Sequence, residues 1–226
     1  MFDDARVSIE DQVLQAMVMA ALESHVIGNG EKSVTHGRSP VENFGHLRGC
    51  HHKNRNGEHT YRVETFDVSI SALKKRTSVR PNGKAAHLKA EFMRNWTPHL
   101  FMIGDFHTHP YESVDEVKSI SGYEYSAADR SALPHDDLLW EQSDERPLML
   151  IVTVCELQRV HLTAGKWEPN NIYTFDVGQY RLWLTAAVGY LDENGERCVT
   201  DNKRSKMLLD IGGRYNDAER RLQFGA

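Results

Sequence analysis

The segment Gly104-Asp105-Phe106-His107-Thr108-His109-Pro110 holds the residues best suited to chemistry in this chain. Side chains two apart on a strand point to the same face, so His107 and His109 can grip one metal ion without distorting the backbone. Imidazole suits zinc, and a third ligand plus an open coordination position would make a hydrolytic site. Twelve histidines are scattered through the chain, so an H-x-H pair is by itself a weak signal against surface or packing histidines. Asp105 shares the face of the pair, as an outer carboxylate or as a surface residue. Downstream, Ser126-Ala127-Ala128-Asp129 reads as a helix start with Ser126 as N-cap. Residues three apart on a helix share a face, so Ser126 and Asp129 can approach the same ion. Asp129 is also what a helix N-terminus favours on charge alone. Upstream, Glu42 opens a candidate strand and precedes Gly45, Leu47 and Gly49 in the spacing E-x-x-G-x-L-x-G; Glu58 and Glu64 are its rivals as general base.

Taken in order, Glu42, the H-x-H-P segment and S-x-x-D resemble the JAMM (MPN-plus, JAB) zinc metalloproteases. Those enzymes are isopeptidases that remove ubiquitin or ubiquitin-like proteins from conjugates. The resemblance covers roughly residues 9–165. It implies that His107, His109 and Asp129 bind Zn2+, that Glu42 is the general base toward water at the metal, and that Ser126 steadies the developing oxyanion. Gly45 and Gly49 match the glycines after the family's glutamate. The implied fold is α/β (α+β), an MPN/JAB-like curved mixed β-sheet flanked by helices, with insertions. The implied activity is hydrolysis of the bond after the C-terminal tail of a ubiquitin-like protein, by deconjugation or precursor processing. The chain departs from the family in two places: sixteen residues, Pro110 to Tyr125, separate His109 from Ser126, a longer gap than usual, and the 26–40 loop before Glu42 is longer than in the compact family core. That insertion is a candidate for contact with an extended substrate tail, which would pair with an exposed strand or ordered loop.

Other classes share parts of the pattern. Asp105-x-His107-x-His109 also resembles the D-x-H-x-H opening of metal-dependent phosphoesterases and amidohydrolases, but those motifs sit on the first strand of a barrel of about 250 residues. Only 117 residues follow His109 here. A catalytically silent scaffold of the MPN fold is the main alternative; such proteins typically lack the ligands.

Positioning these side chains falls to a mixed set of elements in a chain of 226 residues, read as a single domain with its core at about 9–165 and a C-terminal extension at about 166–226. A helix is expected over 9–24, from Val13, Leu14, Met17, Ala21 and Leu22, with Ser8 as N-cap. Residues 26–40 read as a long loop. Residues 41–50 and 60–69 read as strands joined by a hairpin carrying Asn56-Gly57. Residues 70–83 are basic and polar and turn at Pro81-Asn82-Gly83, with Lys74-Lys75-Arg76 as a solvated face. A helix at 84–95 is expected to bury Ala85, Leu88, Phe92 and Trp96. Residues 99–109 read as a buried strand ended by Pro110, and 111–125 as a polar connector. Residues 148–157 make another buried strand, and 160–176 one or two more. Residues 178–191 are apolar throughout and fit helix or strand. Asp192-Glu193-Asn194-Gly195 is a turn, and 203–224 reads as helical in part.

The 40% apolar and 26% charged composition is that of a globular domain. A net charge of −5 gives no basic footprint for nucleic acid. No apolar run approaches a membrane span. Three cysteines without C-x-x-C fit a reducing, cytoplasmic setting. Cys50-His51-His52 makes a poor chelate, because adjacent strand residues face opposite ways. Trp96, Trp140, Trp167 and Trp183 read as core or rim packing.

Overall fold

The computed structural model describes residues 5–28, 40–160, 165–168, 171–200 and 207–211. In chain order the first strands are β1 (Ala5–Ile9), β2 (Phe44–Lys53), β3 (His59–Val68), β4 (Leu73–Lys75), β5 (Ser78–Arg80) and β6 (Phe101–Tyr111). They are followed by β7 (Leu148–Glu156), β8 (Lys166–Trp167), β9 (Ile172–Val177), β10 (Tyr180–Leu191), β11 (Arg197–Val199) and β12 (Met207–Ile211). The helices are α1 (Asp11–Val26), α2 (Gly83–Trp96), α3 (Val114–Ser119), α4 (Ala127–Ala132) and α5 (Asp137–Gln142).

One strongly curled mixed sheet runs β12-β1-β3-β2-β6-β7-β10-β9-β8, with helices on its faces. The strand that carries the H-x-H pair lies at its centre, antiparallel to β2 and parallel to β7. Strands covered on both faces become almost continuously apolar, which is why β7 reads Leu-Met-Leu-Ile-Val-Thr-Val-Cys. Even-numbered residues Leu148, Leu150, Val152 and Val154 pack with Leu14, Met17 and Ala21 of α1. Met149 and Ile151 pack on the other face with Tyr125, Leu133 and Leu139. Gly104 opens the β6–β7 pairing opposite Leu148, where a Cβ would fall on the Leu148 carbonyl oxygen. Only glycine lets the two backbones close there.

Several expectations are corrected. Ser8 is not the cap of α1: it sits in β1, paired with Arg62 and Asp210, and the helix starts after Glu10. Pro110 does not end its strand. The Thr108 N–H points toward β2 and meets the Asn43 carbonyl at 3.1 Å. The nitrogen of Pro110, two residues on, faces the same way, but by Val41 that chain has left to bond Ser24 of α1. The β2–β6 ladder ends at Phe44 and His107, so the missing donor of proline breaks no ladder bond.

The expected buried face of α2 is also wrong. Leu88, Phe92 and Trp96 are 68%, 54% and 73% exposed, and Ala86 is the helix's one buried residue. Lys89 turns the helix by reaching Asp67 and the Val68 carbonyl on β3. The basic stretch at 70–83 holds a hairpin, β4–β5, that polarity concealed. The region left open at 178–191 is a strand, β10, apolar because both its faces are covered. Met207–Ile211, expected within a helical tail, is β12, parallel to β1. Strands after residue 165 thus belong to the main sheet. The expected loop falls mostly on residues 29–39, and the rest of the expected helical tail on 203–206 and 212–224, all outside the described residues. Among the described residues no helix is long and apolar enough to cross a membrane.

Candidate metal centre

Asp105, His107 and His109 all face away from α1 and are buried, while Phe106 between them packs into the α1-side core. The two imidazole centroids lie 5.0 Å apart. Nδ1 of His109 lies 3.1 Å from the Gly122 carbonyl oxygen. A carbonyl only accepts, so Nδ1 carries the hydrogen and Nε2 keeps its lone pair. Thr153, paired with His109 across β6–β7, donates its hydroxyl to the same carbonyl at 3.1 Å.

Asp129 comes to the histidines through its helix. Ser126 caps α4: its hydroxyl accepts from the Asp129 N–H at 3.1 Å, and Asp129 Oδ2 accepts from the Ser126 N–H at 2.9 Å. This capping box fixes the first turn and aims the carboxylate back toward β6. Asp129 Oδ1 stands 3.5 Å from His107 Nε2, and Oδ2 stands 3.4 Å from His109 Nε2. One donor atom from each of the three residues lies within 4.8 Å of the others, a triad that could hold a metal ion. His107 Nε2 is buried and, despite the nearby carboxylate, makes no aligned hydrogen bond. A metal ion would satisfy it.

Glu42 does not open the neighbouring strand as expected; it lies two residues before β2, in the segment that leads into it. The β2–β6 register sets Phe44 opposite His107, and continuing it sets Glu42 opposite His109. Its N–H is held by the Lys75 carbonyl at 2.7 Å, which ties it to the β4–β5 hairpin. Burial pushes the Glu42 carboxyl up to about 7; His109 works against that rise and Asp129 adds to it. Burial likewise lowers His107. At His109 burial is outweighed by Asp129 and the Gly122 carbonyl, and the group is raised. Burial works to raise Asp129 too, but the two histidines hold its carboxyl far below the ordinary range. Asp105, buried, is pushed well up by burial and then by the charges of Asp136 and Asp129.

Glu42, His107, His109, Ser126 and Asp129 line one cleft of about 430 Å³. The hairpin residues Arg76 to Val79 form one wall. Arg76 crosses to the insertion, pairing with Glu112 at 2.9 Å and Glu116 at 3.5 Å. The insertion itself is ordered structure: α3 buries Val117 against Cys155 and Trp183, and the Tyr123 carbonyl accepts from Thr185 at 2.7 Å.

The rival bases lie elsewhere. Glu58 takes the Asn54 side chain in the β2–β3 turn, and Glu64 faces Arg62 on β3. His51 stacks on Tyr61 and bonds His59 at 2.8 Å, as packing. Trp140 and Trp183 are buried, while Trp167 and Trp96 are partly or largely exposed. Sequence reasoning missed Gly122 and Thr153. For Thr153 a signal existed in its strand parity opposite His109; for Gly122 there was none. A comparison with protein-family models finds no match for this chain, and a comparison with curated proteins finds none either.

Proposed function

We propose that the chain is a JAMM-type zinc metallopeptidase, an isopeptidase hydrolysing the bond after the C-terminal tail of a ubiquitin-like protein. The observation that carries this reading is the meeting of two imidazole Nε2 atoms, the Asp129 carboxylate and the buried Glu42 in one cleft. They come in the chain order, and on the S-x-x-D cap, that the resemblance requires.

Zinc held by His107, His109 and Asp129 would supply a Lewis acid and acidified water. Glu42, with a proton affinity brought near neutrality by burial, suits a base that takes a proton from water and returns it to the leaving amine. Ser126 uses its oxygen as the helix cap, which leaves its O–H to donate to a carbonyl oxygen gaining charge. The ordered insertion fixes His109 through Gly122, so its first role is to orient a ligand. For the tail itself, β5 pairs only with β4 among the described residues, and its other edge offers backbone groups to an extended segment.

The test joins metal analysis to cleavage. Protein purified without added metal is expected to carry about one zinc per chain, lost in His109→Ala and in Asp129→Ala and kept in Glu42→Gln. Only the wild type should release the modifier from a ubiquitin-like fusion. A zinc-loaded wild type that leaves fusions and isopeptide conjugates intact would overturn the peptidase reading in favour of a scaffold.

A further inference from the structure

The cleft is also lined by polar groups that the metal triad does not use. Asp105 lines it, two residues before His107 on the same face of β6. It is 8% exposed, and its Oδ1 meets no hydrogen-bond partner. Tyr125, 6% exposed, lines the same pocket, and its hydroxyl is also unpartnered. Its ring stands edge-on to His107, with centroids 6.0 Å apart. Asp136 lines the pocket too; its Oδ1 caps α5 by accepting from the Leu139 N–H at 3.0 Å, leaving Oδ2 for another donor. Ala132, Leu133 and Met149 add apolar lining.

A buried carboxyl and a buried phenol without partners are unfavourable as they stand, because buried polar groups are stable only when paired. The carboxyl is satisfied by a donor, and beside two aspartates a cationic donor is preferred. A second metal ion fits poorly. Among the described residues, only His107, His109 and Asp129 bring three His, Cys, Asp or Glu donors within metal-binding range of one another. Apolar lining beside carboxyl groups instead matches a side chain with a hydrocarbon stem and a charged head.

We propose that this pocket is a specificity site for a lysine or arginine side chain of the peptide segment beside the scissile bond. The stem lies along Ala132, Leu133 and Met149, and the head reaches the carboxyl groups of Asp136 and Asp105. The proposal rests on reading the cleft as a peptide-binding site, and its test is independent of turnover.

Zinc-loaded Glu42→Gln protein is titrated with acetyl-Gly-Lys-Gly-amide and with analogues carrying norleucine or glutamate, and Kd is read by ligand-observed NMR. The lysine peptide should bind about fivefold tighter than the norleucine peptide, and the glutamate peptide most weakly. Asp105→Asn and, separately, Asp136→Asn should bring the lysine-to-norleucine ratio toward one. Equal binding of lysine and norleucine peptides by the parent would overturn the assignment. So would a preference that survives both substitutions, or no binding of any peptide. A second zinc per chain that disappears in Asp105→Asn would overturn it as well, by giving the pocket to a metal. Failure to cleave any fusion would defeat the peptidase reading and leave a measured lysine preference standing.

Discussion

The backbone carbonyl of Gly122 accepts a hydrogen bond from Nδ1 of His109 at 3.1 Å. The insertion between the histidines and Ser126 therefore fixes the tautomer and the ring plane of one candidate ligand. Thr153 donates to the same oxygen, so the carbonyl is held from the sheet as well.

A side chain at Gly122 is opposed on steric grounds. A Cβ at this position would stand 2.6 Å from the Tyr111 ring. Gly122→Val is expected to shift the carbonyl and lower zinc affinity by roughly tenfold or more, the usual scale for outer-shell partners of a ligating histidine. Competition against a chromophoric chelator measures this. Unchanged affinity with an intact fold would mean that His109 is oriented by something else.

Glu42 should leave a mark on stability. Its folded carboxyl sits at about 7, above the ordinary 4.5. Between those values the folded, metal-free protein holds a proton that the unfolded chain has released. This group therefore favours the fold most at low pH, and its contribution falls as pH rises from 4.5 to 7. At about 1.36 kcal/mol per pH unit the loss approaches roughly 3 kcal/mol. Denaturant titrations of metal-free wild type and Glu42→Gln at about pH 5 and about pH 8 isolate it. The wild type should lose stability relative to the variant over that interval; a relative gain would contradict the burial argument.

The two kinds of aromatic residue should respond differently to truncation. Phe92 is 54% exposed on α2, so Phe92→Ser is expected to change unfolding free energy by no more than about 0.5 kcal/mol. Trp140 is fully buried and donates its Nε1–H to the Leu133 carbonyl at 2.8 Å. Trp140→Ala should cost about 3–5 kcal/mol. Comparable losses for both would restore the packed face that the sequence suggested for α2.

Parity and capping were legible in the chain because both are local. The shared face of His107 and His109 follows from the strand period, and the link between Ser126 and Asp129 follows from a helix N-terminus. The choice of Glu42 over Glu58 and Glu64 depended on strand register, which sequence marks only through its glycines. Phe92 and Trp96 misled because their helical spacing fits burial equally well on either side; a salt contact from Lys89 to Asp67 decides the rotation. β10 was illegible because full coverage removes the period that separates strand from helix. β12 was hidden because its place depends on pairing with β1, almost the whole chain away.

The link from Arg76 to Glu112 and Glu116 joins the two rims of the cleft through side chains that are all substantially exposed. Exposed ion pairs contribute at most about 1 kcal/mol each, and less as salt rises. Together the two pairs amount to no more than about 2 kcal/mol, and each rim is also held by its own packing, the insertion through Val117 and the hairpin through the Lys75 carbonyl on the Glu42 N–H. Raising ionic strength therefore loosens the tie between the rims while leaving each rim in place, at three side chains that take no part in the candidate metal site.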